Sequence, residues 1–122
     1  MNIEEFREYC LTKEGVTEQF PFDEDTLVFK VLNKMFAILP LKKWEKGEAS
    51  VTLKCDPDYT LELREQYQSV YPGPYVSNRH WNTIDIYKGE IPLKLIFKLI
   101  DHSYDMVVKG MTKKMRERLN PK

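Results

Sequence analysis

From Pro92 onward the chain carries one unbroken apolar stripe. Leu93, Ile96, Phe97, Ile100, Tyr104, Val107, Val108, Met111 and Met115 recur at helical spacing. A helix with so wide a stripe cannot stand alone and must be laid on another layer, which makes it the main helical wall of the core. A kink is expected near Asp101 to Ser103, with Ser103 and Tyr104 setting it and packing the stripe. Gly110 is expected to separate this helix from a basic terminal turn.

The other layer is readable upstream. Thr26 to Leu32 and Met35 to Leu39 are rich in β-branched, aromatic and long apolar residues, and Asn33-Lys34 between them reads as the connection of a hairpin. Val51, Leu53 and Cys55 alternate with Thr52 and Lys54, the pattern of a strand with one buried and one wet face. Asn2 can cap a first helix over residues 2 to 14, ended by Gly15. Asp56-Pro57 opens a second helix over 57 to 68, with Tyr59, Leu63 and Tyr67 on one side. Trp81 to Tyr87 reads as a further strand. The predicted fold class is α+β: a single domain over residues 1 to 122, two layers, with an antiparallel sheet covered by helices on one face. The predicted order is helix, three strands, helix, two strands, helix, and the second sheet face is left wet or bound to something.

Charge narrows the partners. The formal net charge is +0, yet residues 1 to 25 carry 2 basic and 8 acidic side chains, residues 26 to 108 carry 11 and 10, and residues 109 to 122 carry 6 and 1. Strong nonspecific DNA binding needs a net basic footprint, so a neutral chain leaves room only for weak binding through a local patch. No apolar run approaches the roughly 20 residues of a membrane helix. The first residues lack the basic and apolar regions of a secretory signal. A cytoplasmic protein without a membrane partner is expected, as a monomer or a homodimer. Cys10 and Cys55 sit at apolar-periodic positions, and with His80 and His102 they are too scattered for a disulfide framework or a metal site. No metal and no cofactor is expected.

The segment richest in binding chemistry is Ser77-Asn78-Arg79-His80-Trp81-Asn82-Thr83. Arg79 can hold a phosphate or carboxylate with its planar fork, or pair with an acid such as Glu62 or Asp85. His80 can donate to an anion or serve as a packing residue, and Trp81 can stack on a ring or fill the core. Asn82 can read a base edge or brace a loop. Lys54 points away from Leu53 and Cys55, toward the face where it can join Arg79. Lys42, Lys43 and Lys46 flank Trp44 in the loop between the second and third strands, a pattern that suits a nucleic-acid wing or a solvated loop. The terminal Lys113, Lys114, Arg116 and Arg118 can add phosphate contacts or favour a helix end. No catalytic motif is present: there is no nucleophile elbow, no phosphate-cradling glycine loop, no dinucleotide fingerprint and no His-Glu-x-x-His. The reading is therefore a binding module, not an enzyme.

Several pieces together resemble the MmcQ/YjbR family: Phe20-Pro21-Phe22, Val28-Phe29-Lys30-Val31, Leu53-Lys54-Cys55-Asp56-Pro57, Asn78-Arg79-His80-Trp81-Asn82-Thr83, and Ser103-Tyr104 followed by Val107-Val108. They span nearly the whole chain. The resemblance implies a two-layer fold like that of type III secretion chaperones. It also implies a double-wing arrangement of hairpins and, from that fold alone, DNA binding. The expected function is weak, phosphate-dominated nucleic-acid binding at Lys54, Arg79, His80, Trp81, Asn82, Lys42, Lys43 and Lys46. The alternative is a module that binds a protein or a small ligand on its open sheet face.

Overall fold

A computed structural model describes residues 1–119. Six antiparallel strands, β1 (Val16–Gln19), β2 (Thr26–Val31), β3 (Lys34–Pro40), β4 (Ser50–Lys54), β5 (Val70–Pro72) and β6 (Trp81–Asp85), form one sheet in the order β1-β2-β3-β4-β6-β5. Helices α1 (Ile3–Leu11), α3 (Pro57–Gln66) and α4 (Leu93–Lys109) accompany the sheet, with short helices α2 (Leu41–Glu45) and α5 (Lys113–Leu119) at its margins. The α+β class and the antiparallel sheet are as expected. Four strands rather than three precede α3, because the chain adds β1 as an edge strand paired with β2.

The core lies between α4 and the sheet, where Leu27, Phe29, Val31, Val51, Leu53 and Ile84 meet Ile96, Leu99, Ile100 and Val107. Burying such side chains stabilises by about 1.5–3 kcal/mol each before the entropy of ordering is subtracted. Phe6 and Cys10 fasten α1 to the same core. Desolvation holds the buried Cys10 thiol up at about 12, so it stays protonated and serves as a small apolar group.

Three local expectations are corrected. The hairpin turns at Leu32-Asn33, both at positive φ (45° and 70°), one residue before the expected connection. This is the two-residue turn whose twist matches the strands, and asparagine tolerates it. The first helix stops at Leu11, capped by Thr12, while Gly15 takes φ 72° in the turn that follows. The expected kink at Asp101 to Ser103 is absent, and α4 runs unbroken from Leu93 to Lys109.

Ser103 has a different task. A bulge between Phe29 and Lys30 leaves Phe36 outside the β2–β3 register, and the β3–β4 ladder pairs only Ala37 with Leu53 and Ile38 with Thr52. The buried Ser103 hydroxyl donates to the Phe36 carbonyl (2.6 Å) and accepts from the Lys54 amide (2.8 Å). A polar residue in an apolar stripe thus satisfies backbone groups that the sheet leaves over.

Two half-buried tyrosine contacts add an alkaline limit. The Tyr9 hydroxyl donates to Asp101 (2.6 Å) and the Tyr71 hydroxyl to Asp85 (2.8 Å). Burial, then the carboxylate partner, raises both phenols from 10.0 to about 12. The protonated form is favoured on folding, so this stability is fully present below pH 10 and is lost as pH rises through 12. Thermal melts across that window should show a falling Tm. The fall should be shallower in a Tyr9→Phe/Tyr71→Phe double variant; an identical slope would remove these two groups as its cause.

Candidate functional site: the open sheet face

The sequence motifs that looked most like a binding site are built into the fold. Arg64, on α3, donates Nε to Asn82 Oδ1 (2.8 Å) and Nη2 to the carbonyls of Trp81 (3.1 Å) and Asn78. The Asn82 amide in turn reaches Thr60 Oγ1 (3.4 Å), and Asn82 is buried. Of its two expected roles, Asn82 takes the bracing one. The His80 carbonyl accepts from the Cys55 amide (2.7 Å), and His102 Nε2 accepts from the Asp56 amide (3.1 Å). Asp56 then caps α3 through the amides of Asp58 and Tyr59. The Lys54-Cys55-Asp56-Pro57 and Asn78-to-Asn82 segments therefore lock the end of β4, the start of α3 and the start of β6 into one joint.

Two cations of this region remain outward. Arg79 is exposed and Lys54 half-buried, and neither takes part in the ion pairs formed among the described residues. The pairing of Arg79 with Glu62 or Asp85 does not occur; Asp85 is held instead by Lys88 (3.2 Å) and Tyr71. Lys54 stands opposite Trp81, which is half-buried. The structure does not bring Lys42, Lys43 and Lys46 to this end. They lie before β4, separated from Lys54 by the strand's length of about 13 Å. The expected loop there is largely helix α2, and Lys42 pairs with Asp25 (3.2 Å). Trp44 is turned toward the helix side, its indole N–H donating to the Ser50 carbonyl (2.8 Å) and its ring edge-on to Phe6.

The face away from the helices is not uniformly wet, contrary to expectation. Val28, Thr52 and Thr83 on it are buried, and the two threonine hydroxyls bond each other (2.8 Å). The β5–β6 connection arches over them. A Cβ on Gly73 would lie 2.8 Å from the Thr52 methyl and 3.2 Å from the Thr83 hydroxyl, so only glycine fits this close approach. Between that arch and the segment before β2 lies a cleft of about 480 Å³, lined by Phe22, Asp23, Thr26, Met35, Ile38, Pro40, Thr52, Pro74, Tyr75 and Val76. Its size is that of small-molecule pockets. Phe22 is 62% exposed, and Tyr75 is fully exposed at positive φ (61°), a conformation costing roughly 1–2 kcal/mol for a residue with a Cβ. Residues held in such conformations occur at ligand clamps as well as in tight turns.

Cations border this cleft at one end. Lys30 pairs across the ladder with Met35, and Lys54 lies one same-face position beyond Thr52, about 7 Å along the strand. Lys30, like Lys54 and Arg79, takes no part in the ion pairs among the described residues. At the other end Asp23 remains a carboxylate, held below its usual range by the Asp25 amide. Sequence reasoning missed Lys30, Phe22 and Tyr75 at this cleft and Arg64 as the brace of the Asn78-to-Asn82 segment. Among the described residues no cluster of three or more His, Cys, Asp or Glu could hold a metal, and no helix is long and apolar enough to cross a membrane.

The geometry is that of a small two-layer α+β domain whose free sheet face carries an aromatic-flanked cleft. The family model described as YjbR matches residues 11–106, and the chain belongs to that family. It is similar to the uncharacterised protein YjbR of Escherichia coli K12, with 29% identity over 119 residues and 98% of each chain covered. It is 34% identical over 103 residues to the uncharacterised protein YbdF of Escherichia coli O157:H7, covering 84% of this chain and 80% of that one. Among solved structures, Deinococcus radiodurans protein DR2400 superposes with a TM-score of 0.86 at 35% identity, covering 98% of this chain and 88% of that one. A Pseudomonas syringae protein superposes with a TM-score of 0.70 at 26% identity, covering 87% and 98%.

Proposed function

We propose that the protein is a non-enzymatic, cytoplasmic binding module whose sheet-face cleft takes a planar ring bearing an anionic group, the chemistry of a nucleotide, whether free or in a single strand. The observation that carries this reading is the cleft itself: apolar walls, exposed Phe22 and Tyr75 on its flanks, Lys30 and Lys54 toward one end, and Arg79 in the segment leading into Trp81 opposite Lys54, none of the three cations in an ion pair among the described residues. A ring stacked on an aromatic contributes about 1–3 kcal/mol whatever the base, and the cations attract the phosphate. The Asp23 end offers an anion less, since Lys42 there is already paired with Asp25 (3.2 Å). Duplex DNA gripped between two wings fits this surface less well, because Lys42, Lys43 and Lys46 are a strand's length from Lys54, Lys42 is taken up by Asp25 at the Asp23 end (3.2 Å), and the net charge is +0.

Fluorescence anisotropy of a labelled mixed-sequence single strand, its duplex, and the single strand competed with adenosine monophosphate tests this. The single strand should bind more tightly than the duplex. With about three phosphate contacts, log K should fall against log salt with a slope near −2. Tyr75→Ser should weaken binding at least about fivefold, and Arg79→Ala should flatten the slope. Displacement by the mononucleotide would assign the site to free nucleotides, and its failure to displace would assign it to strands. Equal affinity for the duplex, or binding indifferent to both variants, overturns the reading.

A further inference from the structure

The sheet ends in two edge strands, and only one of them is guarded. Strand β5 has three residues and stops at Pro72, which has no N–H, so it gives a further strand little to pair with. Strand β1 contains no proline, no lysine and no bulge. The Gly15 carbonyl accepts from the Leu32 amide (3.3 Å), which makes Gly15, Thr17 and Gln19 the residues bonded to β2 and turns the backbone N–H and C=O of Val16 and Glu18 outward. Among the described residues no hydrogen bond uses those outward groups. We propose that β1 is the docking edge for a second copy of this chain, paired antiparallel about a twofold axis at Thr17 so that two six-stranded sheets become one.

The strand is self-complementary in that register. Residues opposite each other in a ladder share a face, so each must meet a residue of its own parity. With Thr17 on the axis, Val16 stands opposite the partner's Glu18 and Glu18 opposite the partner's Val16. These are the positions whose backbone groups point outward, and each pair exchanges two bonds. Thr17 meets the partner's Thr17 in the close pair between them, where two hydroxyls can bond each other. An axis at Glu18 would set two carboxylates face to face, and one at Val16 would set Glu18 against the partner's Glu14. Glu18, the one charged side chain of the strand, is held within its own chain by Arg7 (3.0 and 2.7 Å). The helix layer admits the same operation. Helix α4 rests on β3 and β4, and α1 lies beside it over β2 and β1, with Phe6 against Phe29 and Arg7 on Glu18. Packed helices stand about 8–10 Å apart, two strand spacings of about 4.8 Å, so a second β1 and β2 bring the partner's α1 to packing distance. Tyr9 and Lys13 face α4 through Asp101, which leaves Ile3, Arg7 and Leu11, at i, i+4 and i+8, on the flank toward the partner. Leu11 is 39% exposed there. An extended peptide would use the backbone edge alone, whereas a second copy also covers this flank.

Sedimentation of the full chain from about 10 µM to about 1 mM covers the weak association expected of so small an interface. A monomer–dimer equilibrium should appear within that range. Thr17 is exposed and stands across the ladder from Lys30, so Thr17→Glu gains a neighbour of opposite charge in the monomer but sets two carboxylates face to face at the axis. It should weaken dimerisation about fivefold or more, and Thr17→Lys should do the same. An equimolar mixture of the two variants should dimerise again, because opposite charges then meet at the axis. Circular dichroism checks each fold. If Thr17→Lys does not fold, Thr17→Cys replaces it: the close pair places two Cα atoms about 4.5 Å apart, within disulfide reach, while Cys10 and Cys55 are buried. A linked dimer should then form under mild oxidation. A chain monomeric at the top of the range, dimers indifferent to both charge variants, a mixture that stays monomeric, or an unlinked Thr17→Cys protein overturns the proposal. No ligand enters the experiment, so its result is independent of the nucleotide-type site.

Discussion

Replacing Arg64 by methionine should destabilise the fold by about 2–4 kcal/mol. Methionine keeps most of the aliphatic stem that packs on α3, so the loss reports the guanidinium fork rather than a cavity. Three acceptors lose their donor at once: Asn82 Oδ1, the Trp81 carbonyl and the Asn78 carbonyl. Hydrogen bonds from a charged group contribute about 1.5–3 kcal/mol each, but these act on one joint and will not add. Asn82 is 2% exposed and cannot turn to water for compensation. Urea unfolding should show a lower midpoint at unchanged m. The loosened joint also carries Arg79 and anchors the end of the connection that holds Tyr75, so nucleotide affinity should fall with the fold still intact, although Arg64 does not line the cleft. A loss below about 0.5 kcal/mol would show that the brace is decorative.

That brace explains what could and could not be read from the chain. The long stripe from Leu93 and the alternation of Val51, Leu53 and Cys55 repeat with the period of their own element, and both elements stand where expected. Strand β1 has one strongly apolar residue, Val16, in four and owes its existence to the ladder with β2. Strand β5 is three residues long and ends in Pro72, and α2 spans five residues, too few to show a period. The role of the Asn78-to-Asn82 segment depended on Arg64, 18 residues before Asn82, a partnership that spacing does not announce. Lys54 was readable as a surface cation because it alternates with Leu53 and Cys55, whereas Arg79 stayed open between a free cation and an ion pair with Glu62 or Asp85. Phe22 and Tyr75 were not readable as site residues, since an aromatic in a turn-rich stretch looks the same whether it is tucked in or held out. Ser103 was read as a kink for the same reason: its two backbone partners, Phe36 and Lys54, are 67 and 49 residues away.

Phe6→Ala should be the most damaging single truncation on α1, at about 3–5 kcal/mol. Phe6 is fully buried, 6.1 Å from the Phe29 ring and 5.8 Å from Trp44, and with Cys10 it forms the buried side of a helix only nine residues long. A helix that short has little stability of its own, so its place on the sheet depends on that anchor. The far end is held separately, where Tyr9 and Lys13 both reach Asp101 (2.6 Å each). Alanine should therefore free the start of α1 first, lowering Tm by about 10 °C or more. Phe6→Leu, which keeps most of the volume, should cost under about 1.5 kcal/mol. Because the Phe6 ring also backs Trp44, the alanine variant should change tryptophan emission in the folded state, while single-strand binding on the other face persists. Loss of single-strand binding in a folded Phe6→Ala protein would mean that the two faces are coupled through the sheet.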